Sequence, residues 1–180
     1  MSDALVKGTP VPATPFDGKM RVDFVAAIAD TAKPTVTELN AATTVNLSCY
    51  LTLDGWSLTT GQDMISDNRL CSTQTFDIPG RKTSDNKEIT VIDNTNSELE
   101  DTQNKAVETL KEGTTGYFVV RRGLDFDAEY AAGQKVSVYP VRMGEKQYVS
   151  GEENSVIRSK IPFGITGPWH TDDAVVADAS

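Results

Sequence analysis

The sequence predicts a mainly β protein of the α+β class, a β-sandwich or half-barrel with one central α-helix. Apolar and polar residues alternate from Val45 to Leu53, which is the pattern of a strand with one buried face. The run from Tyr117 to Val120 is continuously apolar and is typical of a strand covered on both sides. Only residues 97–113 combine helix start and stop signals with an apolar stripe.

The N-terminal segment reads as an extended arm. Pro10, Pro12 and Pro15 exclude a helix and favour a polyproline-like path. Such a segment is either a disordered terminus or an arm that packs on a neighbouring subunit. The apolar residues Val11 and Phe16 favour the second interpretation, because a free arm has no need of them.

The region between the arm and the helix contains alternating strands and loops. Thr35 followed by Glu38 predicts a capped helical turn, and Asp54-Gly55 predicts a two-residue hairpin turn. The remaining elements are a strand over residues 21–28, a loop over 59–69, a strand over 70–78, a hairpin tip or long loop over 81–87, and a strand over 88–92.

The central helix is predicted over about residues 98–112. Ser97 is its cap, Glu100 completes a capping box and Gly113 ends it. It is expected to cover one edge or face of the sheet. The strands that follow are expected at residues 117–121, 135–143, 147–150 and 156–165.

Composition limits the possible functions. The chain has 180 residues, enough for one domain but not for two ordinary ones, and a net charge of −9. Such an acidic chain is a poor nucleic-acid binder, although it can lie beside DNA. No apolar run approaches the ~20 residues of a membrane-spanning helix, and no secretory signal begins the chain. Folding in a cytoplasm and no membrane partner are therefore expected.

Residues for catalysis or metal binding are scarce. His170 is the one histidine, and no nucleophile elbow or phosphate-binding loop is present. Cys49 and Cys71 match no metal-ligand spacing, so they are expected to be free, buried thiols. The acidic clusters at residues 93–101 and 125–129 favour a solvated surface over a glycosidase acid pair or a calcium loop. The sequence therefore predicts a non-enzymatic protein with no cofactor and no metal.

Several stretches resemble a known family. The sequence is similar to the major tail tube proteins of long-tailed, siphovirus-like bacteriophages, which share their fold with type VI secretion tubes. The resemblance spans roughly residues 34–170. The stretches that carry it are residues 67–72, 76–81, 97–112, 117–123 and 161–167.

The resemblance implies a structural protein of the virion tail. Its subunits are expected to form hexameric rings that stack into a tube around a tape measure protein. Strands of neighbouring subunits would join into a lumenal β-barrel, through which DNA passes during ejection without being bound specifically. Tail terminator and baseplate or tip proteins would bind the tube ends, and assembly would take place in the host bacterial cytoplasm.

The predicted organisation has three parts. Residues 1–33 form the arm and first strand and are expected to contact other subunits, residues 34–170 form the β domain, and residues 171–180 form a flexible acidic tail. The alternatives are another ring-forming phage protein, such as a tail terminator or head decoration protein, or a carbohydrate-binding β-sandwich module. The candidate inter-subunit residues are Pro10, Val11, Pro12, Phe16, Arg81, Lys82 and Lys87.

Overall fold

The computed structural model describes residues 10–178, which contain nine strands and three short helices. This composition confirms the predicted mainly β fold. The strands are β1 Met20–Val25, β2 Val45–Asn46, β3 Leu51–Asp67, β4 Phe76–Ile92, β5 Thr115–Arg122, β6 Lys135–Met143, β7 Gln147–Tyr148, β8 Arg158–Ile165 and β9 His170–Val175. The helices are α1 Val36–Leu39, α2 Glu100–Gln103 and α3 Lys105–Thr109.

The strands form one open antiparallel sheet. Its order is β2-β1-β5-β6-β8-β4-β3, with β7 paired to β8 and β9 paired to β6. Strand β6 is shared between two partners along one of its edges. Val141–Met143 pair with β8, whereas β9 pairs with the other end of β6, from Lys135 to Val138. The sheet therefore divides at β6 into two halves that can turn towards each other.

Aromatic contacts show how far the sheet curves. Strands β5 and β3 are four positions apart in the order, which in a flat sheet would separate them by about 19 Å. Yet the ring centroids of Phe118 on β5 and Trp56 on β3 lie 5.2 Å apart, edge to face. Phe163 on β8 contacts both rings, at 5.1 Å from Phe118 and 5.9 Å from Trp56. The sheet therefore curls into a half-barrel that closes over these three rings.

The sheet carries apolar residues on both faces. The concave face encloses the main core, to which Phe24, Phe118 and Ile161 contribute. The opposite face of β5 and β6 packs a second cluster, which includes Val119 and Val138, beneath α1. Strand β5 is thus buried on both sides, as its continuous apolar run predicted.

A buried arginine organises the loop between β5 and β6. The Arg121 guanidinium is 1% exposed and donates hydrogen bonds to the backbone carbonyls of Asp125, Ala128 and Glu129. It also lies 4.8 Å from the centre of the Tyr130 ring. The Nε atom of Arg121 has no hydrogen-bond partner among residues 10–178. The bonds from its two terminal nitrogens compensate much of the cost of burying the charge, and they fix the path of this loop against the sheet.

The strand predicted over residues 45–53 is interrupted. Strand β2 ends at Asn46, whose side chain accepts a hydrogen bond from the Ser48 amide, and a 3-10 turn follows over Ser48–Tyr50. The predicted hairpin turn at Asp54-Gly55 is also wrong, because both residues lie within β3, at a bulge between Leu51 and Trp56. The alternation of side chains resembled one strand because the turn keeps Val45 and Leu47 on the core side.

Two predicted loops are strands. Residues 59–67 belong to β3, and residues 81–87 belong to β4; each strand has 17 residues. The two strands form a long antiparallel hairpin that is linked by residues 68–75. Their polar composition suggested loops because this part of the hairpin lies outside the core and shows no apolar periodicity.

The predicted central helix is two short helices. Asn104 separates α2 from α3 and is 3% exposed. Its side-chain oxygen accepts a hydrogen bond from the Asn94 amide. A side chain that bonds to the backbone in this way competes with continuous helix. The predicted capping box at α1 is confirmed, since Thr35 and Glu38 bond reciprocally.

Residues 171–178 differ from the flexible tail that was predicted over residues 171–180, and residues 179–180 lie outside the described residues. Strand β9 occupies His170–Val175, and Ala174 and Val176 are buried. The Val36 amide donates to the Ala177 carbonyl, which ties this segment to α1. Side chains alternate between the two faces of β9, and this alternation places Ala174 in the second cluster. The acidic residues of the segment made the alternation hard to recognise in the sequence.

A substitution at Gly55 tests how closely the foot of β3 packs against β4. A Cβ atom at this position would lie 2.6 Å from the Thr90 carbonyl and 3.0 Å from the Thr52 carbonyl. Both neighbours are backbone atoms, so Gly55→Ala should destabilise the protein by about 1–3 kcal/mol. Chemical denaturation measures the free energy of unfolding. Gly164→Ala is the matched control, because its Cβ would meet open space. Equal stabilities of the two variants would contradict this packing.

Candidate assembly surface

The hairpin extends well beyond the rest of the sheet. Strand β4 pairs with β8 only over Glu88–Ile92, and β3 pairs with β4 alone among the described residues. From Thr59 to Asp67 the hairpin spans roughly 26 Å at about 3.3 Å per residue. We call residues 61–82 the blade. Within residues 10–178 neither edge of the blade has a partner strand.

Both faces of the blade carry apolar side chains. Ile65 lies opposite Ile78, and Phe76 lies opposite Asp67, so Ile65, Ile78 and Phe76 share one face. Met64 and its partner Pro79 lie on the other face. Met64, Ile65, Phe76 and Ile78 are all exposed, and so is Leu70 in the connecting turn.

This exposure distinguishes the blade from an ordinary surface hairpin. A two-stranded ribbon is marginally stable by itself in water. Contiguous exposed apolar residues mark protein-interaction sites, and unpaired strand edges are templates for pairing with another chain. The blade therefore has the properties of a surface that another protein covers.

The foot of the hairpin packs into the main core. Trp56 packs against Phe118 and Phe163 in the main core. Register shifts lie between Leu51 and Trp56, between Ser57 and Thr59, and between Gln62 and Met64. Such bulges bend a strand and increase its twist. The first two lie at the foot and the third begins the blade, so the hairpin can leave the sheet at an angle.

A buried carboxylate anchors the end of β4. Asp93 is 5% exposed and accepts hydrogen bonds from the Ser159 hydroxyl at 2.5 Å, the Thr95 hydroxyl at 2.5 Å and the Lys146 ammonium at 2.9 Å. Burial by itself would raise the pKa of this carboxyl. The hydrogen bonds outweigh burial and hold the pKa of Asp93 well below its usual value.

An apolar groove lies at the foot of the hairpin. Its volume is about 290 Å³. The groove is formed mainly by apolar side chains from the arm, β1, the 3-10 turn and β3. These include Phe16, Met20, Cys49, Leu53 and Trp56.

The described residues provide little chemistry. No group of three or more His, Cys, Asp or Glu side chains in residues 10–178 is arranged to hold a metal ion. The Nδ1 atom of His170 lies 3.3 Å from a carboxylate oxygen of Asp173. Cys49 and Cys71 are free, as predicted, but both are exposed, so the prediction of burial is wrong. Cys49 precedes β3 in the 3-10 turn, which turns its side chain away from the core.

None of the helices in this part of the chain is long and apolar enough to cross a membrane.

The family follows from a match over nearly the whole chain. A family model described as phage tail tube protein matches residues 9–178. The chain belongs to this family. It is therefore a structural component of a phage tail, and self-assembly is part of its role. The predicted resemblance to tail tube proteins is confirmed.

Two solved structures are similar in outline. One is a chain of the anti-feeding prophage baseplate, 6-fold symmetrised, with 8% identity and a TM-score of 0.49; the alignment covers 91% of this chain and 98% of that one. The other is a chain from the sheath/tube terminator of an extracellular contractile injection system, with 12% identity and a TM-score of 0.48; the alignment covers 92% and 98%. No curated protein sequence matches the chain significantly.

The predicted inter-subunit residues fall into separate regions. Pro10, Val11, Pro12 and Phe16 are exposed in a segment without regular secondary structure, and Phe16 lines the groove. Arg81 and Lys82 are exposed on the blade, away from the groove lining. Lys87 lies nearer the foot and is half-buried; its ammonium donates to the Ser84 carbonyl. The inter-subunit role of these residues stays a prediction.

Sequence reasoning missed the apolar residues of the blade. Met64 and Ile65 lie in the stretch that was predicted as a loop, and Phe76 and Ile78 were assigned to an ordinary strand. A signal was available, because Met64-Ile65 interrupts an otherwise polar run. The pairing that brings Ile65 opposite Ile78 depends on register, which two bulges shift between the foot and the blade.

The Asp93 anchor has a distinctive pH dependence. Asp93→Asn should lower the free energy of unfolding by about 1–3 kcal/mol at pH 7. The difference from wild type should shrink as the pH falls below about 4. The pKa of Asp93 is lower in the folded protein than in the unfolded chain. Its carboxylate therefore stabilises the fold above the pKa of the unfolded chain, and this stabilisation is lost as the pH falls towards the pKa of the folded protein. Chemical denaturation at pH 7 and pH 3 measures the difference in free energy of unfolding between the variant and wild type. Asp63→Asn, at an exposed position, is the control. A difference that is constant with pH would contradict the assignment.

Proposed function

We propose that this protein forms hexameric rings that stack into the phage tail tube, a conduit for DNA ejection into the host. The observation that carries the proposal is the match to the tail tube family over residues 9–178. The exposed blade supports it, because a subunit that acted alone would leave this hairpin uncovered. The hexameric number is carried over from the family resemblance.

Assembly through strand edges fits the topology. The outer edge of β3 and the outer edge of the blade portion of β4 have no partner strand among residues 10–178. Closing sheets into a continuous barrel removes such edges. In the proposed ring, β3 and β4 of each subunit contribute to a barrel shared with neighbouring subunits, and this barrel lines the lumen.

The other proposed partners follow from the tube. The tape measure protein occupies the lumen during assembly, and terminator and baseplate or tip proteins cover the ends. The net charge of −9 suits a conduit, since an acidic wall does not retain DNA. We propose assembly in the host bacterial cytoplasm and no enzymatic activity.

Electron microscopy of the purified protein tests the proposal. Concentrated wild-type protein should form rings or tubes. A variant in which an Asn-Gly turn replaces residues 61–82 should fold but remain unassembled, because it lacks the blade. Circular dichroism checks its fold, and sedimentation measures the assembled fraction.

A matched substitution separates the blade from general surface effects. Leu99 is also exposed but lies beside α2, outside the hairpin. Leu99→Asp should assemble as wild type does. A compact wild-type monomer at high concentration would contradict the proposed function, and tubes from the shortened variant would contradict the role of the blade.

A further inference from the structure

We infer that the tip of the blade of one subunit inserts into the groove at the foot of the hairpin of another subunit. The inference rests on the proposed function and names the surfaces that join its copies. The tip is the turn at Leu70-Cys71 with the adjoining Phe76. The groove is the one formed by Met20, Cys49, Leu53 and neighbouring residues.

The tip needs a partner more than any other part of the described chain. Leu70 has a relative exposure of 110%, so its side chain stands fully in water. Phe76 beside it is more than half exposed. Burying a leucine side chain is worth about 1.5–3 kcal/mol, and the tip therefore favours any apolar hollow that it can enter.

The size of the groove suits an apolar side chain of another subunit. Its volume of about 290 Å³ lies at the lower limit of the 300–1,000 Å³ typical of small-molecule pockets. Its rim includes Leu53, which is 83% exposed, and Phe16, which is 56% exposed. An apolar knob such as Leu70 would cover these residues.

The geometry requires the knob and the groove to belong to different copies. Trp56 lies in the groove lining and Asp67 immediately precedes the tip, and the strand between them is extended. At about 3.3 Å per residue the separation is roughly 36 Å before allowance for bulges. The strand is paired along this length, so the tip cannot fold back into its own groove.

Two different surfaces at opposite ends of one element produce head-to-tail contacts. A knob at one end and a groove at the other form a heterologous interface, which closes into rings or continues as a filament. Membership of a tail tube family makes a second copy the fitting occupant.

The native cysteines test the contact directly. Cys71 adjoins Leu70, Cys49 lines the groove, and both thiols are free and exposed. Copper(II)-phenanthroline treatment of assembled wild-type tubes should therefore give a ladder of disulfide-linked oligomers on a non-reducing gel. Cys49→Ser and Cys71→Ser should each abolish the ladder. A ladder that persists in either variant, or is absent from wild-type tubes, would overturn the inference.

Substitution of the knob provides a second readout. Leu70→Asp should reduce the assembled fraction at least tenfold while the circular dichroism spectrum stays unchanged; Leu99→Asp should have no effect. If wild type forms tubes and Leu70→Asp forms them equally well, the docking inference fails and the tube function stands. If wild type forms no tubes, the proposed function itself fails.

The arm is the competing occupant of the groove. Val11 is exposed and precedes Phe16, which already lies at the groove. In a Cys71→Ser background, Val11→Cys should give no oligomer ladder through Cys49 if the tip fills the groove. A strong ladder from that variant would assign the groove to the arm of another subunit and overturn the inference.

Discussion

The contact among Trp56, Phe118 and Phe163 determines the shape of this subunit. It joins strands that stand far apart in the sheet order and so bends an open sheet into a half-barrel. Because Trp56 lies at the foot of the long hairpin, the same contact fixes the point at which that hairpin leaves the core. The main core, the groove and the blade all depend on this one aromatic junction.

The fold class and the most regular elements could be predicted from sequence. The continuous apolar run at β5 and the capping box at α1 report local physics directly, and both agree with the structure. The split helix could not be read in the same way. The hydrogen bond between Asn94 and Asn104 is a tertiary contact, and it overrides a pattern that would otherwise propagate as one helix.

The candidate assembly surface was harder to predict, for a physical reason. Hydrophobic periodicity reports burial in the chain's own core, whereas the blade has no core of its own. Residues 61–67 and 81–82 therefore resembled polar loops. Register decides that Ile65 lies opposite Ile78, and register depends on bulges that composition does not reveal.

The pairing of β4 has a mechanical consequence, because its blade portion pairs only with β3 whereas its last five residues also pair with β8. A pull on the tip of the hairpin runs parallel to both strands, so the hydrogen bonds between them are loaded in shear and share the force. The load then passes to the body of the subunit through the short ladder between Glu88–Ile92 and Arg158–Pro162. Asp93 and Ser159 are hydrogen-bonded beside this ladder. Under tension, the subunit should therefore yield at this five-pair ladder before the long hairpin opens.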